Sequence, residues 1–236
     1  MKAILIAALF FFSNKFSYGQ NFAWAKHFEG TQNGRGNSIA VDISGNVYTT
    51  GYFTGTVDFD PGPGIFNLTQ SSGGGAFISK LDASGNFIWA KQFESWNIVS
   101  FSIALDATGN VYTTGFFQQI ADFDPGPGVF NLTNVLGSDV FVCKLDNIGN
   151  FIWAKQFGGI NNIYLQGYDM AVDAMGNVFT TGHFEGVADF DPGPGVFNLS
   201  PVGFEDMFIS KLDMNGNFIW VKQIKGASYE TGYSID

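Results

Sequence analysis

One motif returns along the whole chain. Asn21-Phe-Ala-Trp-Ala-Lys26 comes back as Asn86-Phe-Ile-Trp-Ala-Lys91, as Asn150-Phe-Ile-Trp-Ala-Lys155 and as Asn217-Phe-Ile-Trp-Val-Lys222. Its phenylalanines step by 65 residues (Phe22 to Phe87), 64 (Phe87 to Phe151) and 67 (Phe151 to Phe218). A period of that length confines the chain to a repeat architecture, in which one supersecondary unit buries its apolar face against the next copy.

Each unit reads as four strands. In the middle copy the β-type runs are Ser102 to Leu105, Val111 to Phe117, Val140 to Leu145 and Phe151 to Phe157. The first pair is joined by Asp106-Ala-Thr-Gly-Asn110 and the second by Asp146-Asn-Ile-Gly-Asn150. The same Asp-x-x-Gly-Asn pattern starts at Asp42, Asp82, Asp173 and Asp213. Asp at the head of a tight turn accepts a backbone N–H, and Gly three residues on takes the left-handed conformation that closes a hairpin. Turn chemistry therefore accounts for these aspartates. The 31 glycines suit a chain that reverses this often, and no long amphipathic helical pattern competes.

The fourth run alternates Phe87, Trp89, Lys91, Phe93 on one face with Ile88, Ala90, Gln92 on the other. Both faces are substantially apolar, which predicts sheets covered on both sides. Four-stranded antiparallel sheets stacked face to face around an axis are the blades of a β-propeller, and the expected fold is all-β. Trp24, Trp89, Trp153 and Trp220 then fall between blades, each contributing roughly 2 to 3 kcal/mol by burial.

The units resemble the bacterial β-propeller repeat called SBBP. The matching pieces are Gly45-Asn-Val-Tyr-Thr-Thr-Gly51, Ala76-Phe-Ile-Ser-Lys-Leu-Asp82 and Asn86-Phe-Ile-Trp-Ala-Lys91, with their later copies. The resemblance implies a scaffold of extracellular bacterial proteins, of the kind often exported by type IX secretion. It does not imply a ligand or a reaction.

Residues 1–19 read as a signal peptide: Lys2, an apolar stretch from Ala3 to Phe12, and Ser17-Tyr18-Gly19 before Gln20. The apolar stretch is about half a bilayer span, so no membrane span is expected. Residues 20–236 form the repeat array, with blades at about 36–93, 100–157 and 167–224 and partial blades at 21–28 and 225–236. Three full blades fall short of the four or more that close a ring. The expectation is therefore an open or truncated propeller, completed by missing blades after Asp236 or by edge-to-edge association.

Removal of Lys2 and Lys15 with the leader takes the formal charge from −10 to −12, an acidic balance that disfavours nucleic acid and anionic membrane surfaces as partners. Cys143 is the one cysteine, so no internal disulfide forms. It occupies a serine slot of the repeat and reads as a small buried residue. His27 takes the slot of Gln92 and His183 that of Phe116, neither with Cys or His at ligand spacing, and both read as ordinary strand residues. No catalytic constellation is visible, and no cofactor is required.

Two features remain for function. The connection between the second and third strands centres on Asp58-Phe-Asp-Pro-Gly-Pro-Gly64, Asp122-Phe-Asp-Pro-Gly-Pro-Gly128 and Asp189-Phe-Asp-Pro-Gly-Pro-Gly195. It reads as a second hairpin reversed at Pro-Gly-Pro-Gly. Asp58 with Asp60, Asp122 with Asp124, and Asp189 with Asp191 lie two residues apart on a strand, and beside glycine-rich carbonyls they could hold Ca²⁺. Alternatively, they cap the turn.

The second feature is the set of variable connections between blades, which carry Arg35, Trp96, Tyr164 and Tyr229, residues suited to stacking on or hydrogen-bonding a protein or glycan. The expected function is a non-enzymatic extracellular or cell-surface scaffold. The alternatives are the propeller portion of a larger polysaccharide-degrading enzyme and a calcium-dependent adhesion module.

Overall fold

A computed structural model describes residues 22–134, 137–159 and 163–236. The leader at 1–19 and the predicted mature start at Gln20 lie outside the described residues. Among the described residues every regular element is a strand, and no helix is long and apolar enough to cross a membrane.

The strands are β1 (Glu29–Gly30), β2 (Gly34–Val41), β3 (Val47–Asp58), β4 (Asn67–Leu81), β5 (Phe87–Leu105), β6 (Val111–Asp122), β7 (Asn131–Thr133) and β8 (Gly137–Leu145), followed by β9 (Phe151–Gly159), β10 (Ile163–Val172), β11 (Val178–Phe184), β12 (Ala188–Asp189), β13 (Asn198–Leu199), β14 (Asp206–Leu212) and β15 (Phe218–Ile224). They make three antiparallel four-stranded blades. The first is β2, β3, β4 and the start of β5. Blade 2 runs from the end of β5 through β6, β8 and β9. Blade 3 is β10, β11, β14 and β15. The sheet does not close on itself.

Local chemistry sets the six short hairpins. In each, the aspartate Oδ1 accepts the amides two and four residues on, as Asp106 does from Thr108 (2.9 Å) and Asn110 (3.0 Å). The following glycine has positive φ in all six, between 76° at Gly216 and 85° at Gly149. The Thr-Thr-Gly motif has a different cause. A Cβ on Gly51, Gly115 or Gly182 would stand 1.9, 1.9 or 1.8 Å from the carbonyl oxygen of Arg35, Val99 or Gln166, beside a bulge in the first strand. Only glycine lets that bulged strand approach.

The apolar cores lie between blades. One cluster joins Tyr48 and Ile78 of blade 1 to Phe117 and Phe141 of blade 2, and another joins Tyr112 and Val142 of blade 2 to Phe184 and Phe208 of blade 3. Blade 2 is thus covered on both faces, as the apolar alternation requires. Trp24 donates its Nε1–H to the Ala83 carbonyl (3.0 Å) and Trp153 to that of Met214 (3.3 Å), each in a turn of the following blade. Within a blade the same indole meets an aromatic of the second strand: Trp89 with Tyr48 and Trp153 with Tyr112, both with centroids 6.1 Å apart. Between them in each blade a lysine, Lys80 or Lys144, lies over the tyrosine ring.

The long connection is a hairpin with a bridging role. In blade 1, Asp58 and Val57 pair on one side with Asn67 and Leu68, and on the other with Glu29 and Gly30, just after the N-terminal Trp24 motif. In blade 2, Asp122 pairs with Asn131 and with Glu94. In blade 3, Asp189 pairs with Asn198 and with Gly158. Each hairpin therefore adds two strands to the end of the preceding blade.

Its central phenylalanine seals the joint. Phe123 has ring centroids 5.3 Å from Phe93, 5.5 Å from Phe117 and 4.9 Å from Phe141. Phe59 makes the same set with Phe28, Phe53 and Phe77, and Phe190 with Phe157, Phe184 and Phe208. The equivalent of Phe93 at the end of blade 3 is Ile224, which is 47% exposed and carries no such cap.

The first strands of successive blades also bond directly. The Asn37 side chain donates to the Ser100 carbonyl (2.8 Å), and Ser102 Oγ donates to Asp169 Oδ1 (2.6 Å). The C-terminal segment continues this series. Ile235 N–H donates to Asp169 Oδ2 (2.9 Å), and Tyr233 stacks 5.5 Å from Tyr168, itself 5.3 Å from Phe101.

Candidate functional site

The repeated aspartates are engaged by backbone. Asp58 ends β3, whereas Asp60 lies beyond it in the turn, so the two do not share one strand face. Asp58 Oδ1 accepts the amides of Asp60 (3.0 Å) and Phe66 (2.8 Å), and Asp60 Oδ1 accepts that of Gly62 (2.8 Å). Asp122 with Asp124 and Asp189 with Asp191 repeat these bonds in the second and third hairpins. The second carboxylate oxygen of Asp60 lies over Gly64, where a Cβ would stand 2.1 Å away. The Pro-Gly-Pro-Gly reversal is thus wrapped around its own aspartates.

Between consecutive hairpins runs a groove. The one joining hairpins 2 and 3 has a volume of about 640 Å³ and is walled by Phe130, Lys155, Gln156, Asp189, Asp191 and Val196. Its counterpart between hairpins 1 and 2 measures about 470 Å³ and includes Gln92, Glu94, Asp122 and Val129.

The four residues read as rim contacts do not converge. Arg35 sits in the first strand of blade 1 and lines a cavity of about 330 Å³ over Phe28 and Phe59. Trp96, 52% exposed, stands at a bulge in the crossing from blade 1 to blade 2. Tyr164 and Tyr229 occupy equivalent places in the next two crossings, where each runs parallel to the start of the preceding blade's third strand, Tyr164 against Ser138 and Tyr229 against Glu205.

That placement brings both tyrosines beside a side-chain cluster that the sequence reading passed over. The β11 and β14 register pairs His183 with Met207 and Phe184 with Asp206, so continuing it sets Glu185 opposite Glu205. The Tyr164 carbonyl accepts the Glu185 amide (3.0 Å) on one side, and Tyr229 bridges Glu205 on the other. His183, one strand step of two from Glu185, shares its face. One ligand-type atom from each of His183, Glu185 and Glu205 lies within 4.8 Å of the others.

Electrostatics follow from the crowding. Burial raises the Glu185 carboxyl above its ordinary range, and the charge of Glu205 and a hydrogen bond to it push the same way. Burial favours the neutral imidazole of His183, against the pull of Glu185. The His183 ring rests 5.4 Å from that of Tyr168. Next to Glu205 along the chain and across its bridge, Phe204 and Tyr229 stack at 5.2 Å with planes 10° apart, although 68% and 64% exposed. A comparison of repeat slots carries the signal for this site, since His183, Glu185 and Glu205 stand where blade 2 has Phe116, Gln118 and Ser138.

Blades of four antiparallel strands, packed face to face and tied by hairpins across each joint, define a β-propeller repeat protein whose sheet is open. Residues 24–56 and 152–183 match the family model of the SBBP β-propeller repeat. The chain is 28% identical over 253 aligned residues to an uncharacterized WD repeat-containing protein of Acanthamoeba polyphaga mimivirus, a match covering 89% of this chain and 18% of that protein. The chain thus spans under a fifth of that relative's length. Among solved structures, a protein of unknown function from Bacteroides caccae aligns over 84% of this chain and 86% of its own, at 10% identity and a TM-score of 0.27.

Proposed function

We propose that the protein is a non-enzymatic binding scaffold, presented outside the cell, which holds a protein or glycan ligand at the rim of blade 3. The observation that carries this reading is the exposed Phe204–Tyr229 stack. Flat aromatic surface left in water suits the apolar face of a sugar ring or a side chain of a protein partner. The rigid blades below hold these rings on variable connections, where binding residues concentrate. The groove between hairpins 2 and 3, with Lys155, Gln156 and Asp191 in its wall, supplies hydrogen-bonding groups of the kind glycans require. Placement outside the cell rests on the leader-like residues 1–19.

The test is a glycan and surface-protein binding screen with the wild-type chain and a Phe204→Ala/Tyr229→Ala double variant. A ligand that binds the wild type and is lost from the variant supports the proposal. Ligands retained in full by the variant refute it.

A further inference from the structure

We infer that His183, Glu185 and Glu205 form a binding site for one divalent transition-metal ion. Three observations carry this, and none depends on the proposed ligand of the aromatic rim.

The geometry is near that of a ligand set. The three donor atoms lie within 4.8 Å of one another. Ligands about 2.0–2.1 Å from a tetrahedral ion are about 3.3 Å apart, so closure by roughly 1.5 Å suffices. Glutamate side chains make such a movement by rotation about their own bonds, without displacing the strands. Glu185 and Glu205 are each only half-buried, which leaves them that freedom.

The imidazole is held without a hydrogen-bond partner. His183 is 7% exposed, and its Nδ1 has none. Its Nε2 faces Glu205 Oε2 at 4.0 Å, beyond hydrogen-bonding distance. A buried polar ring of this kind costs stability unless something at the site satisfies it. A cation between the nitrogen and the two carboxylates does so. It also offsets the repulsion of two carboxylates placed directly opposite across a strand pair. Among the described residues no lysine or arginine forms an ion pair with either glutamate.

The fold does not need the cluster. The same three places hold Phe116, Gln118 and Ser138 in blade 2, and Tyr52, Thr54 and Gly74 in blade 1, yet those blades have the same strands and register. The His/Glu/Glu set is thus an addition to one blade. Imidazole with two carboxylates suits Zn²⁺ and its first-row neighbours, whereas Ca²⁺ takes oxygen ligands alone. Three protein ligands leave the fourth position of a tetrahedral ion open.

The experiment is titration of the tag-free full chain with Zn²⁺ by calorimetry and with Co²⁺ by visible absorption. Wild type, His183→Phe, Glu205→Ser and Glu185→Gln are compared, each variant carrying the blade 2 side chain of its slot. Expected are one ion per wild-type chain, a Co²⁺ spectrum of low coordination number, and a loss of affinity of at least about 100-fold in each variant, since loss of a group that only orients a metal ligand already costs about 10- to 100-fold. Circular dichroism establishes that each variant is folded, and where His183→Phe is not, Glu185→Gln carries the comparison. Absence of binding to the wild type overturns the proposal. So does binding that Glu185→Gln and Glu205→Ser leave unchanged.

Discussion

Phe93 and Phe123 meet with ring centroids 5.3 Å apart, although one ends the last strand of blade 1 and the other sits at the centre of the blade 2 hairpin. Together with the Glu94–Asp122 pairing, this contact makes the hairpin a tie between blades rather than a loop projecting from one. The Phe28–Phe59 and Phe157–Phe190 pairs repeat the tie at 5.0 and 5.6 Å.

Phe123 is fully buried, so Phe123→Ala opens a cavity at the joint of blades 1 and 2. A loss of about 3–5 kcal/mol is expected, measured by urea denaturation. Repeat arrays depend on their nearest-neighbour interfaces, so the unfolding transition should also broaden or split as the blades uncouple. Phe66→Ala removes a half-exposed ring and should have a smaller effect.

Two glycine-to-alanine changes separate the two reasons for glycine. Gly109 adopts φ +81° in an open turn, and Gly109→Ala should lower stability by about 1–2 kcal/mol. Gly115→Ala forces a Cβ against the Val99 carbonyl, 1.9 Å away, and should prevent the bulged first strand from pairing. Expression as soluble protein and the melting temperature distinguish them.

Stability should fall in acid through the turn aspartates. Amide and side-chain hydrogen bonds from Asn86 hold the Asp82 carboxyl below its ordinary value, and those from Asn177 do so at Asp173. At Asp42, Asp106, Asp146 and Asp213 burial opposes ionisation, but hydrogen bonds from the residues two and four positions on outweigh it. A folded pKa below the unfolded value of about 3.9 means that the unfolded chain takes up protons first as pH falls. The contribution is present above about pH 5 and is lost progressively below pH 4. Melting temperature against pH checks this, and Asp106→Asn should flatten the acid limb.

The alkaline limb has the opposite sign. Burial, with the charges of Asp42 and Asp106, raises the Tyr48 and Tyr112 phenols well above their ordinary range. Neutral phenol is favoured in the fold, so stability is intact below about pH 10 and declines above it. Ultraviolet titration of the phenols alongside thermal melts should show the two tyrosines ionising only with unfolding.

Calcium at the hairpins is tested by comparing melts with calcium and with chelator. Asp122 already accepts two amides, so Asp122→Ala should cost about 1–3 kcal/mol in chelator alone. A calcium-dependent rise in melting temperature that Asp124→Asn abolishes would add an ion to that role. Equal melts leave the aspartates to the turn.

The four-stranded unit, its six tight turns and the double covering of the middle sheet are legible in the sequence, because their causes act within a few residues. Asp106 bonds Thr108 and Asn110, and the Phe-Ile-Trp-Ala-Lys alternation needs only the two-residue period of a strand. The hairpin at Asp122-Phe-Asp124 was equally visible as a reversal, but its partner was not. Pairing of Asp122 with Glu94 depends on how one blade rotates against the next, which no local pattern encodes.

The same limit hid the cluster. Glu185 and Glu205 are separated by a whole hairpin, and the register of β11 on β14 sets them opposite each other, with Tyr229 bridging Glu205 on its other side. Sequence by itself determined the repeat and its turns through short-range hydrogen bonding and periodicity. Tertiary structure alone decided which blade end each hairpin ties and which three side chains meet at the rim, because both follow from long-range packing of the blade faces.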